Sequence, residues 1–339
     1  MKTELLSSGR VASLACLALL SSSCSLYSIT GDVLSDYAVE HLVPHLMTGD
    51  DPQVACETGV SLSALLLSFR RVTDEPHKAS VASYVAAATC AEFRAFDAEL
   101  TQLRALKANQ TSAAQDARIV EKLEHQSAAA RYHKAYLHLV AAYGEPSENC
   151  PEFETNNDEI LWLLGLTGII NAVQHDRASG GLQGISMDLP RKVARGIKCL
   201  NNSKWWGVPN AVEAAVWIGI PGASPEGVDA WKVLEEAASI GDAAGVRVAR
   251  AIQAQVASTV GKDEIVKESI KKFAASFAEK PAPSESVLLD RLAYGQIKAL
   301  SDRIWTEKVG HRTPIGEFGS FGDNEVEEDA DDLLDLDGD

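Results

Sequence analysis

Apolar residues recur at helical spacing from Asp32 to Val309, interrupted only by short breaks rich in Pro, Gly and Asp. That periodicity is the strongest constraint on the chain. Leu34, Tyr37, Leu42 and Leu46 mark a first helix over 32–47. Thr48-Gly49-Asp50-Asp51-Pro52 reads as a turn that also caps the next helix, with proline at its first position. Val60, Leu62, Leu65, Leu66 and Phe69 carry that helix to about Val72. A third, long helix starts at Asp74-Glu75-Pro76 and passes through Tyr84, Phe93, Phe96, Leu100 and Leu103. A fourth runs from about Ser112 to Tyr143. No alternating apolar–polar stretch of strand length stands out. Helix pairs joined by short turns suggest an all-α fold, a tetratricopeptide-like solenoid of helical hairpins.

After a loop over Pro146 to Asn157, the run Ile160 to Val173 is the most apolar in the chain. It is shorter than the ~20 residues a bilayer span needs, so it reads as a buried helix within 158–175. Asp188 and Pro190 open a helix over 189–201, and Trp205-Trp206-Gly207-Val208-Pro209 breaks the chain again. Ala230 to Pro281 is the most repeat-like segment, with Leu234, Ala237 and Ala238, then Val246, Ala249, Ile252 and Val256, then Ile265, Ile270, Phe273 and Phe277 on successive helices. A last helix, from about Ser284 to Val309, ends at Gly310. Residues 311–339 turn Gly-rich and then acidic, with ten acids and no base over Asp323–Asp339. That tail is expected to be disordered, since it has too little apolar surface to offset chain entropy.

The N-terminus carries a different signal. Lys2 and Arg10 precede an apolar run from Val11 to Leu20, and Ser21-Ser22-Ser23 leads into Cys24. This is the layout of a bacterial lipoprotein signal, residues 1–23, with Cys24 as the acylated N-terminus. Several acyl chains on one residue give stable anchoring. A tether over 24–31 would then lead to the helical domain, 32–310. Ser25 is not the aspartate that retains lipoproteins at the inner membrane, so the expected place is the periplasmic side of the outer membrane. The net charge of -17 and the lack of any basic stripe argue against nucleic-acid partners. In an oxidising compartment Cys56, Cys90, Cys150 and Cys199 allow two disulfides. Cys56–Cys90 and Cys150–Cys199 would join neighbouring helices; four buried free thiols are the alternative.

A search for catalysis yields no H-E-x-x-H, nucleophile elbow or Walker loop. His41 and His45 stand one turn apart with no third ligand, which favours a solvated helix face over a metal site. His125, His133 and His138 share a long polar helix with Glu121, Glu124 and Arg131, and read as surface or groove residues. No catalytic residue, metal or cofactor is expected. All six tryptophans lie after the loop over 146–157. Trp162, Trp205 and Trp206 stand where helix packing must be irregular, and two uses compete for them: the walls of a ligand groove between the halves of the chain, or core packing.

The order of these elements resembles the T component associated with TRAP transporters, the periplasmic TatT-type lipoproteins. The likeness runs from Cys24 to about Val309: the lipobox and tether, Asp50-Asp51-Pro52 opening a helix, Leu161-Trp162-Leu163-Leu164-Gly165-Leu166-Thr167-Gly168, Asp188-Leu189-Pro190, Trp205-Trp206-Gly207, and the Pro/Gly-rich loop Ile220 to Gly227. The resemblance implies a tetratricopeptide-like domain with an internal groove or pore, homo-oligomerisation, and cooperation with a periplasmic solute-binding protein that delivers small, often anionic or apolar, organic molecules. It carries no catalytic residues. The competing expectation is a non-catalytic envelope scaffold without a small ligand. Cys24→Ala is expected to move the protein out of the membrane fraction and to remove the acyl mass; fractionation with mass spectrometry checks this.

Overall fold

In a computed structural model describing residues 26–73 and 76–322, the chain is all-helical, and among these residues only an isolated bridge between Phe318 and Ser320 has β character. Helix α1 covers 26–37, passes through a π turn at Ala38–Leu42 and continues as Val43–Met47. Then come α2 (Pro52–Ser68), α3 (His77–Lys107), α4 (Thr111–Tyr143), α5 (Asn156–Ser179), α6 (Leu189–Gly196), α7 (Val208–Gly219), α8 (Ala230–Ala244), α9 (Val248–Thr259), α10 (Asp263–Glu279) and α11 (Val287–Val309). No helix among the described residues is long and apolar enough to cross a membrane.

Local chemistry sets the ends. Asp51 Oδ1 accepts from the backbone N–H of Gln53 at 2.8 Å and of Val54 at 3.3 Å, with Pro52 following it, so α2 starts where its first orphan donors find an acceptor. Thr155 and Asp158 form a reciprocal capping box at the start of α5. Asp158 also accepts from Tyr143 at 2.8 Å and pairs with Lys78 at 2.7 Å. Burial pushes its carboxyl up, but the bonds from Lys78, Tyr143 and Thr155 outweigh that and hold it at about 2. Gly310 takes the left-handed conformation that ends α11.

Helices α3 and α4 form the longest hairpin, with α2 against α3 and α5 against α4. Their shared seam is largely alanine: Ala87, Ala88, Ala91 and Ala95 on α3 meet Ala128, Ala129 and Ala135 on α4, all buried. Trp162 on α5 is 1% exposed; its indole N–H donates to the Gly196 carbonyl at 2.9 Å, and Tyr143 and Phe153 pack edge-on against its ring. The second half packs α7 to α10 as successive neighbours, and α11 returns across α9, α10 and α3.

Two fully buried arginines hold the second half. Arg247 Nη1 donates to Asp290 Oδ2 at 2.7 Å, its Nε to Ser276 Oγ at 2.8 Å, and its backbone N–H to Asp290 Oδ1 at 2.9 Å, joining the start of α9 to α10 and α11. Arg250 donates to Glu235 at 2.6 Å and Asp242 at 2.6 Å, joining α9 to α8. A buried charge is tolerated only when its donors are used up, and both side chains meet that condition.

Both cysteine pairs are bonded. Cys56–Cys90 ties α2 to α3, and Cys150–Cys199 ties the loop before α5 to the single 3₁₀ turn after α6. Beside the first bond, a Cβ on Gly59 would lie 2.6 Å from the Ser83 carbonyl oxygen, so this close crossing requires glycine.

Two expected boundaries shift. Residues 26–31, expected as tether, are already helical. Residues 311–322, expected as disordered tail, are docked: Phe321 is buried, Trp305 donates to the Ser320 carbonyl at 3.1 Å, and the Thr313 N–H donates to Asp302 at 3.1 Å. Phe318 and Phe321 supply the apolar area that a Gly-rich segment otherwise lacks. The signal peptide, Cys24 and the acidic run over 323–339 lie outside the described residues. Trp162→Ala is expected to lower the unfolding free energy by about 3–5 kcal/mol, measured by urea denaturation.

Candidate functional site

Five helices leave a cavity of about 240 Å³ between the α3–α5 layer and the returning pair α9 and α11. Helical spacing builds its walls. Glu92, Phe96 and Glu99 fall on one stripe of α3, Glu121 and His125 stand one turn apart on α4, and Gln296 and Arg303 face them two turns apart on α11. Helix α5 adds Gln174 and His175, and α9 adds Ser258 and Thr259.

Four of these side chains form a buried line: Glu92, His175, His125 and Glu121. Glu92, 2% exposed in the alanine seam, accepts from Tyr132 Oη at 2.8 Å and from Gln296 Nε2 at 3.1 Å. His175 Nε2 lies 3.5 Å from Glu92 Oε1. The two Nδ1 atoms of His125 and His175 are 2.8 Å apart, and His125 Nε2 lies 3.7 Å from Glu121 Oε1. Tyr132 stacks on the His175 ring at 5.9 Å.

Hydrogen bonding constrains this line. The short Nδ1–Nδ1 contact requires one ring to donate there and the other to accept. Burial, and then the facing His175, lower His125 to about 4, so it is neutral at pH 7. Glu92 has Tyr132 and Gln296 as donors, whereas Glu121 is served unevenly. Its Oε1 accepts from Arg118, while its Oε2 is buried and has no hydrogen-bond partner among the described residues.

At the far wall, Arg303 donates to Ser258 Oγ at 2.9 Å and stands 3.8 Å from Glu99. Burial raises Glu99, against the pull of Arg303. The lining thus holds three carboxylates and one guanidinium. No group of three or more His, Cys, Asp or Glu among the described residues is arranged to hold a metal ion.

An apolar cleft of about 70 Å³ adjoins this cavity. Gln174 and Thr259 line both, so the two spaces share a wall. Val173, Met187, Val216, Ile220 and Val256 make the cleft's apolar sides.

The expected groove of Trp162, Trp205 and Trp206 is not what lies between the halves. Trp162 is core. Trp205 is 6% exposed, with its indole N–H donating to Glu159 at 2.6 Å, and half-buried Trp206 packs edge-on against it at 5.4 Å. All three belong to one apolar cluster, and none lines the cavity or its adjoining cleft. Large rings at irregular crossings fill the space rather than leave it open. Of the real lining, His125 and Glu121 were among six polar residues marked on one helix in the sequence. Glu92, Glu99 and His175 were not marked; the signal was there in carboxylates seven residues apart on an otherwise alanine-rich helix. Compared with known families, curated proteins and solved structures, the chain finds no match.

The low His125 value has a definite sign. The unfolded chain binds its proton near 6.5 and the folded protein only near 4, so between those values the unfolded state holds more protons and stability rises with pH. Urea unfolding followed from pH 4 to pH 7 is expected to show this rise, and His125→Gln to flatten it.

Proposed function

We propose that the chain is an exported lipoprotein, held by acylated Cys24 at the periplasmic face of the outer membrane, that binds a small molecule and works beside the solute-binding protein of a TRAP-type transport system. The observation that carries the binding is the cavity, to which five helices from both halves contribute polar and ionisable side chains. Its volume lies just below the range of ligand pockets in general, which suits a metabolite rather than a peptide. Two disulfides support export, because such bonds persist in oxidising compartments. The place in a transport system rests on the order of motifs from Cys24 to Val309, and the tetratricopeptide-like solenoid on the succession of hairpins. A second reading, a scaffold with no small ligand, draws on the exposed Ile119, Val120 and Leu123 of α4, an apolar patch suited to another protein or a second copy of the chain.

The full-length protein, extracted from native membranes in mild detergent, is expected to release a small molecule on denaturation, seen by mass spectrometry, and to crosslink to a periplasmic solute-binding protein. Recovery of protein partners with no small molecule would favour the scaffold.

A further inference from the structure

We infer that the cavity takes an organic cation, an ammonium or guanidinium group on a short apolar body, with the charged group at Glu121 and the body directed toward the adjoining cleft. The inference deepens the binding role proposed above and rests on it.

Three observations converge. The first is charge: Glu92, Glu99 and Glu121 line the cavity, with Arg303 in the lining and Arg118 paired to Glu121. An added anion would meet one carboxylate in excess, whereas a cation restores the balance. The second is hydrogen bonding. Glu121 is 4% exposed, yet its Oε2 lacks a donor among the described residues. A buried acceptor left without a donor is costly. The neighbouring His125 Nε2 lies 3.7 Å from the other oxygen, Oε1, and does not serve Oε2. An ammonium brings three donors and a guanidinium five. A carboxylate or phosphate ligand would bring acceptors to a wall that is already short of donors. The third is shape: the polar space shares Gln174 and Thr259 with an apolar cleft, so a molecule polar at one end and apolar at the other has a surface for each.

Lining by Arg303 does not reverse this choice. Its Nη2 donates to Ser258, and its other nitrogens face Glu99 and Glu307 at 3.8 and 3.9 Å. An anion would have to compete with both carboxylates.

The probes are n-butylammonium, n-hexylammonium, hexanoate and 1-hexanol, titrated by calorimetry into the full-length protein in detergent, with detergent alone as the blank. Hexylammonium is expected to bind, with hexanoate and hexanol at least tenfold weaker. Binding is expected to strengthen about threefold to fourfold per added methylene from butyl to hexyl. Glu121→Gln keeps the side chain's size and removes the charge; it is expected to weaken hexylammonium at least tenfold while the unliganded melting temperature stays level or rises. Equal or tighter binding of hexanoate overturns the inference, as does an unchanged affinity in a folded Glu121→Gln variant. The comparison of probes on the unaltered protein decides even if that variant fails to fold. An anionic or neutral molecule carried through purification would sink the cationic assignment yet leave the binding role standing; a protein that carries no molecule and binds none of the probes removes both.

Discussion

The close approach of α3 and α4 is what the other helices rest on. At 31 and 33 residues these helices are about 47 and 50 Å long, far beyond the usual helix of a globular protein. Alanine in the seam lets the backbones come near each other, and the dispersion gain is spread over many small contacts rather than a few large side chains. A polar side chain in such a seam has no long neighbours to shelter it. Glu92, between the buried Ala88, Ala91 and Ala95, must therefore be served from other helices: Tyr132 on α4, His175 on α5 and Gln296 on α11. The polar line at the cavity is in this sense a product of the alanine packing.

Much of this architecture was legible in the sequence, and for reasons that can be named. Helix α2 begins at Pro52 because Asp51 and Pro52 together satisfy its first turn, and α11 ends at Gly310 because only glycine enters the left-handed conformation freely. The apolar run around Trp162 was readable as buried because it has no polar face. Of the arrangements open to the four cysteines, the two bonds between neighbouring segments are the ones formed.

What was not legible depends on contacts distant in sequence. Nothing in the sequence alone marks Arg247 and Arg250 as buried, yet both are, because Asp290 from α11 and Glu235 and Asp242 from α8 take up their donors. His175 lies at the end of an apolar helix, and its role exists only once α4 sets His125 against it, 50 residues away. The tryptophans misled because size alone does not say whether a ring lines a space or fills it. Phe318 and Phe321 were hidden by the composition around them: a Gly-rich segment with two aromatic anchors is not the same object as a Gly-rich segment without them.

Helix α11 closes the structure in space and comes near its end in sequence. Gln296 reaches Glu92 across 204 residues, and Lys107, at the end of α3, donates to the carbonyls of Glu307 and Lys308 at the last turn of α11. Contacts of that sequence separation form late and slow the folding of a chain. A chain emerging N-terminus first can assemble the α2–α5 layer with Glu92, His125 and Glu121 in place while the opposite wall has yet to arrive. Until α11 docks, those carboxylates and imidazoles sit in an open, hydrated trough. The desolvation of these ionisable side chains thus depends on elements from the far end of the chain, one of which, in excluding water, also brings Gln296 to Glu92.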